Sequence, residues 1–123
     1  MIAYQDLKQR TFLFAVSVSK LIGNLPNNPV NREHFRQVIR SSASVGANYR
    51  AARLARSDAD FINKLKIVEE EADESIYFLE LLVELNIDQK NIIVPLIAEG
   101  IEILKIIVAS ITTARGKSTQ QKK

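Results

Sequence analysis

Any chemistry in this chain would have to come from a single histidine, no cysteine, and a dense run of acids that ends near residue 84. A carboxylate-bridged two-metal site in a helical bundle takes paired Glu-x-x-His motifs on inward faces. His34 has no glutamate three residues before it, so that pair is missing. Glu69, Glu70, Glu71, Asp73 and Glu74 are nearly consecutive, and at 100° per residue their charges spread around a helix instead of converging. With no cysteine there is neither a disulfide framework nor a thiolate metal site, as suits a reducing cytosol. The chain has no glycine-rich phosphate loop, and its serines and lone histidine have no third group to orient them. We therefore expect no enzyme, no catalytic residue, no metal and no cofactor.

The cations offer another kind of chemistry. On a helix, Arg32, Arg36, Arg40 and Arg50 fall within a narrow arc, with Arg53 a turn further round and Arg56 on the far side. Such a stripe can neutralise phosphates, and Arg115, Lys117, Lys122 and Lys123 could add a basic arm. These residues, Arg56 excepted, are the candidate nucleic-acid contacts. The alternative is pairing within the protein. Residues 31–56 hold six arginines and one acid, and residues 57–86 hold nine acids and two lysines. Adjacent segments of opposite sign favour mutual packing, across the bundle or between subunits, for most of these arginines. Aromatic residues are few, so sequence-specific single-strand recognition has little support. The formal charge of +3 is largely a property of the tail, because residues 1–114 carry 13 basic against 14 acidic side chains.

These groups need a scaffold, and the apolar periodicity supplies four helices. The first is expected over Gln5–Gly23 and ends in a loop rich in proline and asparagine. The second starts with Asn31 as N-cap and runs to about Arg56. Ser57 caps the third, with Asp58 and Asp60 in its first turn, and this helix reaches Leu85. After a break at residues 86–90 the fourth helix runs to about Ala114, with Pro95 either in its first turn or at a kink. Short links between long helices predict an all-α, antiparallel up-down four-helix bundle over residues 1–114, followed by a basic disordered tail over 115–123. The N-terminus lacks the pattern of a secretory signal. The apolar stretch Ile92–Ile111 carries Glu99, Glu102 and Lys105, which argues against a membrane span. A cytoplasmic protein is expected.

One core needs one apolar stripe per helix, and this chain has more. Helix one offers Leu7, Phe14, Ala15, Val18, Leu21, Ile22 and Leu25 as core, and Phe12 and Val16 besides. Helix three offers Phe61, Leu65, Val68, Ala72, Ile76, Leu79 and Val83, and then a second stripe of Ile67, Phe78, Leu81 and Leu85. Helix two expects a core face of Phe35, Ile39, Ser42, Gly46 and Tyr49. Its other side has a small-residue seam of Ser41, Ser44, Asn48, Ala51 and Ala55, spaced like the inner positions of a heptad. Left exposed, the extra apolar residues exceed what a soluble monomer tolerates. Burying each large one is worth roughly 1.5–3 kcal/mol. A homo-oligomer follows as the expectation, with Phe12, Val16, Ser41, Ser44, Asn48, Ile67, Phe78, Leu81 and Leu85 at its interface.

The runs RSSASVGANYR (40–50), RSDADFINKL (56–65) and VEEEADESIYFLELL (68–82) resemble a bacterial family of four-helix-bundle proteins. These are encoded in intervening sequences of the 23S ribosomal RNA gene and are often labelled ribosomal proteins. The similarity extends to Phe14-Ala15, the Leu25-Pro26 turn and the Ala109–Arg115 segment; Phe78 stands where the family often has tryptophan. The resemblance implies a ring-like assembly, a homopentamer. It also implies kinship with the accessory proteins of diversity-generating retroelements, which bind a reverse transcriptase and nucleic acid. The expected function is a non-enzymatic oligomeric scaffold that binds RNA, with a protein-interaction module for a partner such as a reverse transcriptase as the alternative.

Overall fold

A computed structural model describes residues 4–121. Its elements are α1 (Tyr4–Ile22), α2 (Pro29–Arg53), α3 (Asp58–Leu85), a 3-10 turn (Ile87–Gln89) and α4 (Lys90–Gln121). Among the described residues there is no strand.

The helix boundaries follow capping chemistry. Asn28, not Asn31, is the N-cap of α2: its side-chain oxygen accepts the Asn31 N–H at 2.8 Å, and Pro29 takes the first helical position. Proline suits that position because its missing N–H would have no helical partner there. The helix ends at Arg53, three residues short of the expected Arg56, where the Leu54 N–H donates to the Ala51 carbonyl at 3.1 Å and the Ala55 N–H to the Ala52 carbonyl at 3.0 Å. Ser57 caps α3 as expected, accepting the Asp60 N–H at 3.1 Å. Asp60 in turn accepts from Lys64 Nζ at 2.6 Å and from the Arg56 N–H at 3.2 Å. The Lys64 ammonium first, and then that N–H, hold its carboxyl below the usual carboxylate range. The corner's contribution to stability is therefore complete above the unfolded Asp value of ~3.9 and fades as pH falls through the lowered folded value. Pro95 lies inside α4, past its first turn. That helix continues to Gln121 rather than ending near Ala114.

The core gathers Phe14, Val18, Leu65, Val68, Leu79, Leu82, Ile93, Ile103 and Ile107, all nearly or fully excluded from solvent. The stripes expected on α1 and α3 are buried or partly buried throughout. On α2 the expected face needs correction. Ile39 is exposed, while Val38, Val45 and Ala52 are buried beside Phe35, Ser42 and Tyr49. Ser41, expected on an outer seam, is fully buried inside the subunit, where its hydroxyl accepts from Ser75 Oγ at 2.9 Å. The Ser41 hydroxyl faces the Val38 carbonyl of its own helix at 3.4 Å in turn, so both buried hydroxyls have partners where these small side chains let α2 and α3 approach closely.

Two glycines mark the other close approaches. A Cβ on Gly46 would lie 3.4 Å from Thr11 Oγ1, where α1 crosses α2. A Cβ on Gly100 would lie 3.0 Å from Ile76 Cγ1 and 3.4 Å from Phe14 Cζ, where α1, α3 and α4 meet.

The α2–α3 register is set by a reciprocal amide pair. Asn31 Nδ2 donates to Asn86 Oδ1 at 2.8 Å, and Asn86 Nδ2 donates to Asn31 Oδ1 at 3.0 Å. The remaining amide hydrogens reach the carbonyls of Pro26 and Leu82, both at 2.9 Å. Both side chains are buried. Partner numbers fall along α3 as they rise along α2, from Asn31–Asn86 to Ser41–Ser75. Removing one amide strands the other's polar atoms, so Asn31→Ala should cost about 1–3 kcal/mol in urea unfolding at fixed protein concentration. The double change Asn31→Leu, Asn86→Leu should cost clearly less than the two single changes added together.

Candidate nucleic-acid interface

The arginines of the α2 stripe differ in what they meet. Arg40 turns toward α3, where its Nη1 lies 3.1 Å from Glu71 Oε2 and its Nη2 pairs with Glu74. Arg36 pairs with Glu33 on its own helix. Arg32 reaches Asn27 Oδ1 at 3.4 Å. Arg50 turns the other way, with its guanidinium 5.9 Å from the centre of the Phe12 ring on α1. All five, Arg53 included, are solvent-exposed on α2. Internal pairing with the acids of α3 thus holds for Arg40.

Arg50 and Arg53 occupy the last turn of α2, where a cation is favoured by the macrodipole. Lys8 of α1 joins them, and with Leu54 they line a cleft of about 330 Å³. Sequence reasoning missed Lys8, because nothing along the chain signals that α1 brings it to the end of α2. Arg115 and Lys117 are exposed on α4. Lys122 and Lys123 lie outside the described residues.

A second long-range ion pair also escaped the sequence. Arg10 and Glu99 meet in a bidentate fork, Nε to Oε2 at 2.7 Å and Nη2 to Oε1 at 2.8 Å, joining α1 to α4. The hydrogen bonds to Glu99 raise the Arg10 guanidinium above its ordinary value, with desolvation opposing them. Parallel N–H···O bonds of this kind fix geometry more than they add energy at a partly exposed site.

The proposed interface residues divide. Phe12, Ile67 and Leu85 are about half exposed. Val16, Ser44, Asn48, Phe78 and Leu81 are partly buried. Phe78 packs against the core, edge-on to Tyr77 at 5.3 Å and tilted to His34 at 5.9 Å. His34 is therefore half-buried against that ring. Asn48 donates to the Ser44 carbonyl at 2.9 Å within its own helix. Among the described residues no group of three His, Cys, Asp or Glu side chains could hold a metal. No described helix is long and apolar enough to cross a membrane.

Arg40 itself is half exposed, which caps the worth of its ion pairs. Arg40→Glu should lower stability by about 1 kcal/mol, and adding Glu74→Arg should recover part of it. Arg32→Glu should stay within about 0.5 kcal/mol of the parent in the same urea measurement.

No curated protein matches the chain. A crystal structure at 1.70 Å of a protein with unknown function from the S23 ribosomal protein family of Bacteroides thetaiotaomicron VPI-5482 is similar, at 36% identity and a TM-score of 0.74. The match covers 85% of this chain and 97% of that one. Residues 5–109 match the family described as 23S rRNA-intervening sequence protein. That span takes in the arginine helix, the acidic helix and most of α4, and the chain belongs to the 23S rRNA-intervening sequence protein family.

Proposed function

We propose that this protein is a non-enzymatic cytoplasmic scaffold that binds structured RNA through charge. Its subunit is an up-down antiparallel four-helix bundle, and its copies form a ring, a homopentamer. The observation that carries the RNA reading is the exposure of Arg32, Arg36, Arg50 and Arg53 on α2, in a family named for ribosomal RNA intervening sequences. The falling register between α2 and α3 supports the antiparallel arrangement. The exposed Phe12, Ile67, Leu85, Ile101 and Val108 support association, because each is a large apolar group facing water in the lone subunit.

A second reading makes the protein a docking module for a partner such as a reverse transcriptase. It is favoured by an open groove of about 610 Å³ between α1 and α4, floored by Leu21, Ile92, Pro95 and Leu96. A ring that fills this groove with its own subunits leaves that reading without a surface.

Two measurements decide between these readings. Light scattering should give a mass five times the 13.8 kDa of one chain; well-folded monomers at micromolar concentration would overturn the ring. RNA affinity should fall steeply with salt. A chain ending at Ala114 should bind more weakly, with a salt slope shallower by about 1 for each phosphate it no longer neutralises. A flat salt response with unchanged affinity on truncation would remove the RNA reading.

A further inference from the structure

We infer that the cleft between the start of α1 and the end of α2, ringed by Lys8, Arg50 and Arg53, is a phosphate-binding site. Its ligand is a phosphate group carrying a nucleoside, either within an RNA strand or as a free nucleotide.

Three features carry this. The first is convergence: two elements distant in sequence bring three cations to one cleft of about 330 Å³. That volume lies at the lower end of the ~300–1,000 Å³ typical of small-ligand sites, so it suits one nucleotide-sized group rather than a duplex. The second is that helix energetics account for only part of the cluster. Arg50 and Arg53 gain from the negative end of α2, but Lys8 sits just past the first turn of α1, at the end where a cation gains nothing from the macrodipole. A phosphate in the cleft gives Lys8 a favourable charge contact that the macrodipole does not, and meets Arg50 from the other helix at the same time.

The third feature is preorganisation. Arg50 rests over the Phe12 ring, and a guanidinium held on an aromatic face loses less freedom when its N–H fork takes up phosphate oxygens. Leu54, 82% exposed at the rim, offers an apolar surface for the attached base. By contrast Arg40, already set between Glu71 and Glu74, is poorly placed to bind another anion. The inference deepens the RNA reading and takes one of its two ligand sources from it.

The test is calorimetric titration of the full chain with inorganic pyrophosphate, a nucleoside monophosphate and a short single-stranded RNA. The cleft variant is Lys8→Glu with Arg50→Glu. Arg32→Glu with Arg36→Glu changes the net charge equally on α2 alone and serves as the control. The cleft's one phosphate contact to a single strand should account for a fall of roughly 3-fold in the parent's RNA affinity between 50 and 200 mM salt, and each further phosphate neutralised elsewhere on the surface multiplies it by a similar factor. The cleft variant should lose about tenfold or more in affinity for RNA and for pyrophosphate, well beyond the control. Lys8→Arg should retain binding, and circular dichroism checks that each variant folds; if the double variant does not, Lys8→Gln takes its place.

Equal losses in both variants would overturn the cleft while leaving charge-driven RNA binding intact. A parent that ignores RNA but binds pyrophosphate or the nucleotide, with binding abolished in the cleft variant, would keep the cleft as a site for free nucleotides and end the RNA reading. Parent-like affinity of the cleft variant for every ligand would overturn the inference.

Discussion

Each amide of the Asn31–Asn86 pair both donates to and accepts from the other, and the spare hydrogens go to the carbonyls of Pro26 and Leu82. Neither group can therefore slide without leaving a buried donor or acceptor unpaired, which costs more than the bond contributes when made. The pair sits where the loop before α2 meets the end of α3, so it fixes both the depth and the rotation of α2. Farther along, Ser41 and Ser75 meet at the same register, and Arg40 falls opposite Glu71 and Glu74. The rotation of α2 thus decides which of its arginines faces acid and which faces α1.

That rotation explains why one arc of cations behaves as two groups. At 100° per residue the arc from Arg50 to Arg40 spans about 80°. Its Arg40 edge meets the acidic flank of α3, and its Arg50 edge meets Phe12 and the cleft shared with Lys8. The opposite charges of the two segments meet at the Arg40 crossing, with Glu71 and Glu74, and again at the corner where Arg56 lies beside Asp60. The rest of the basic edge stays on the surface.

Much of the fold was legible because period and caps agree. The apolar stripes of α1 and α3 point inward as their spacing requires, and Ser57 begins α3 as its side chain dictates. Legibility failed on α2, where Ser41, Ser42, Ala43, Ser44 and Gly46 give an apolar count little to distinguish one face from the next. Small polar residues look alike along the chain whether they line an outer seam or, like Ser41, close a buried hydroxyl pair. Asn31 misleads for a related reason: asparagine suits a helix cap, and only its closeness in space to Asn86 reveals the other use. Of the site, the arginines were visible and Lys8 was not. An isolated lysine has no periodic partner, and only tertiary packing makes it part of a cluster.

The exposed apolar surface is distributed differently from the second stripe read on α3. Phe78 and Leu81 are partly covered within the subunit, so they leave less apolar surface for a second copy to bury. On α4, however, Val94, Ile101 and Val108 recur at intervals of seven and are all exposed, flanked by partly buried Ile97 and Leu104. A straight helix drifts only about 20° per heptad, so these residues form one strip along two heptads. Glu102 and Lys105 lie off the strip, at the edge where they can pair with each other at 3.8 Å. An uncharged heptad strip facing water is the pattern that another helix covers by seating knobs into holes. Any drive to assemble therefore resides more on α4, where the subunit leaves its surplus uncovered, than on α3, where packing absorbs much of it.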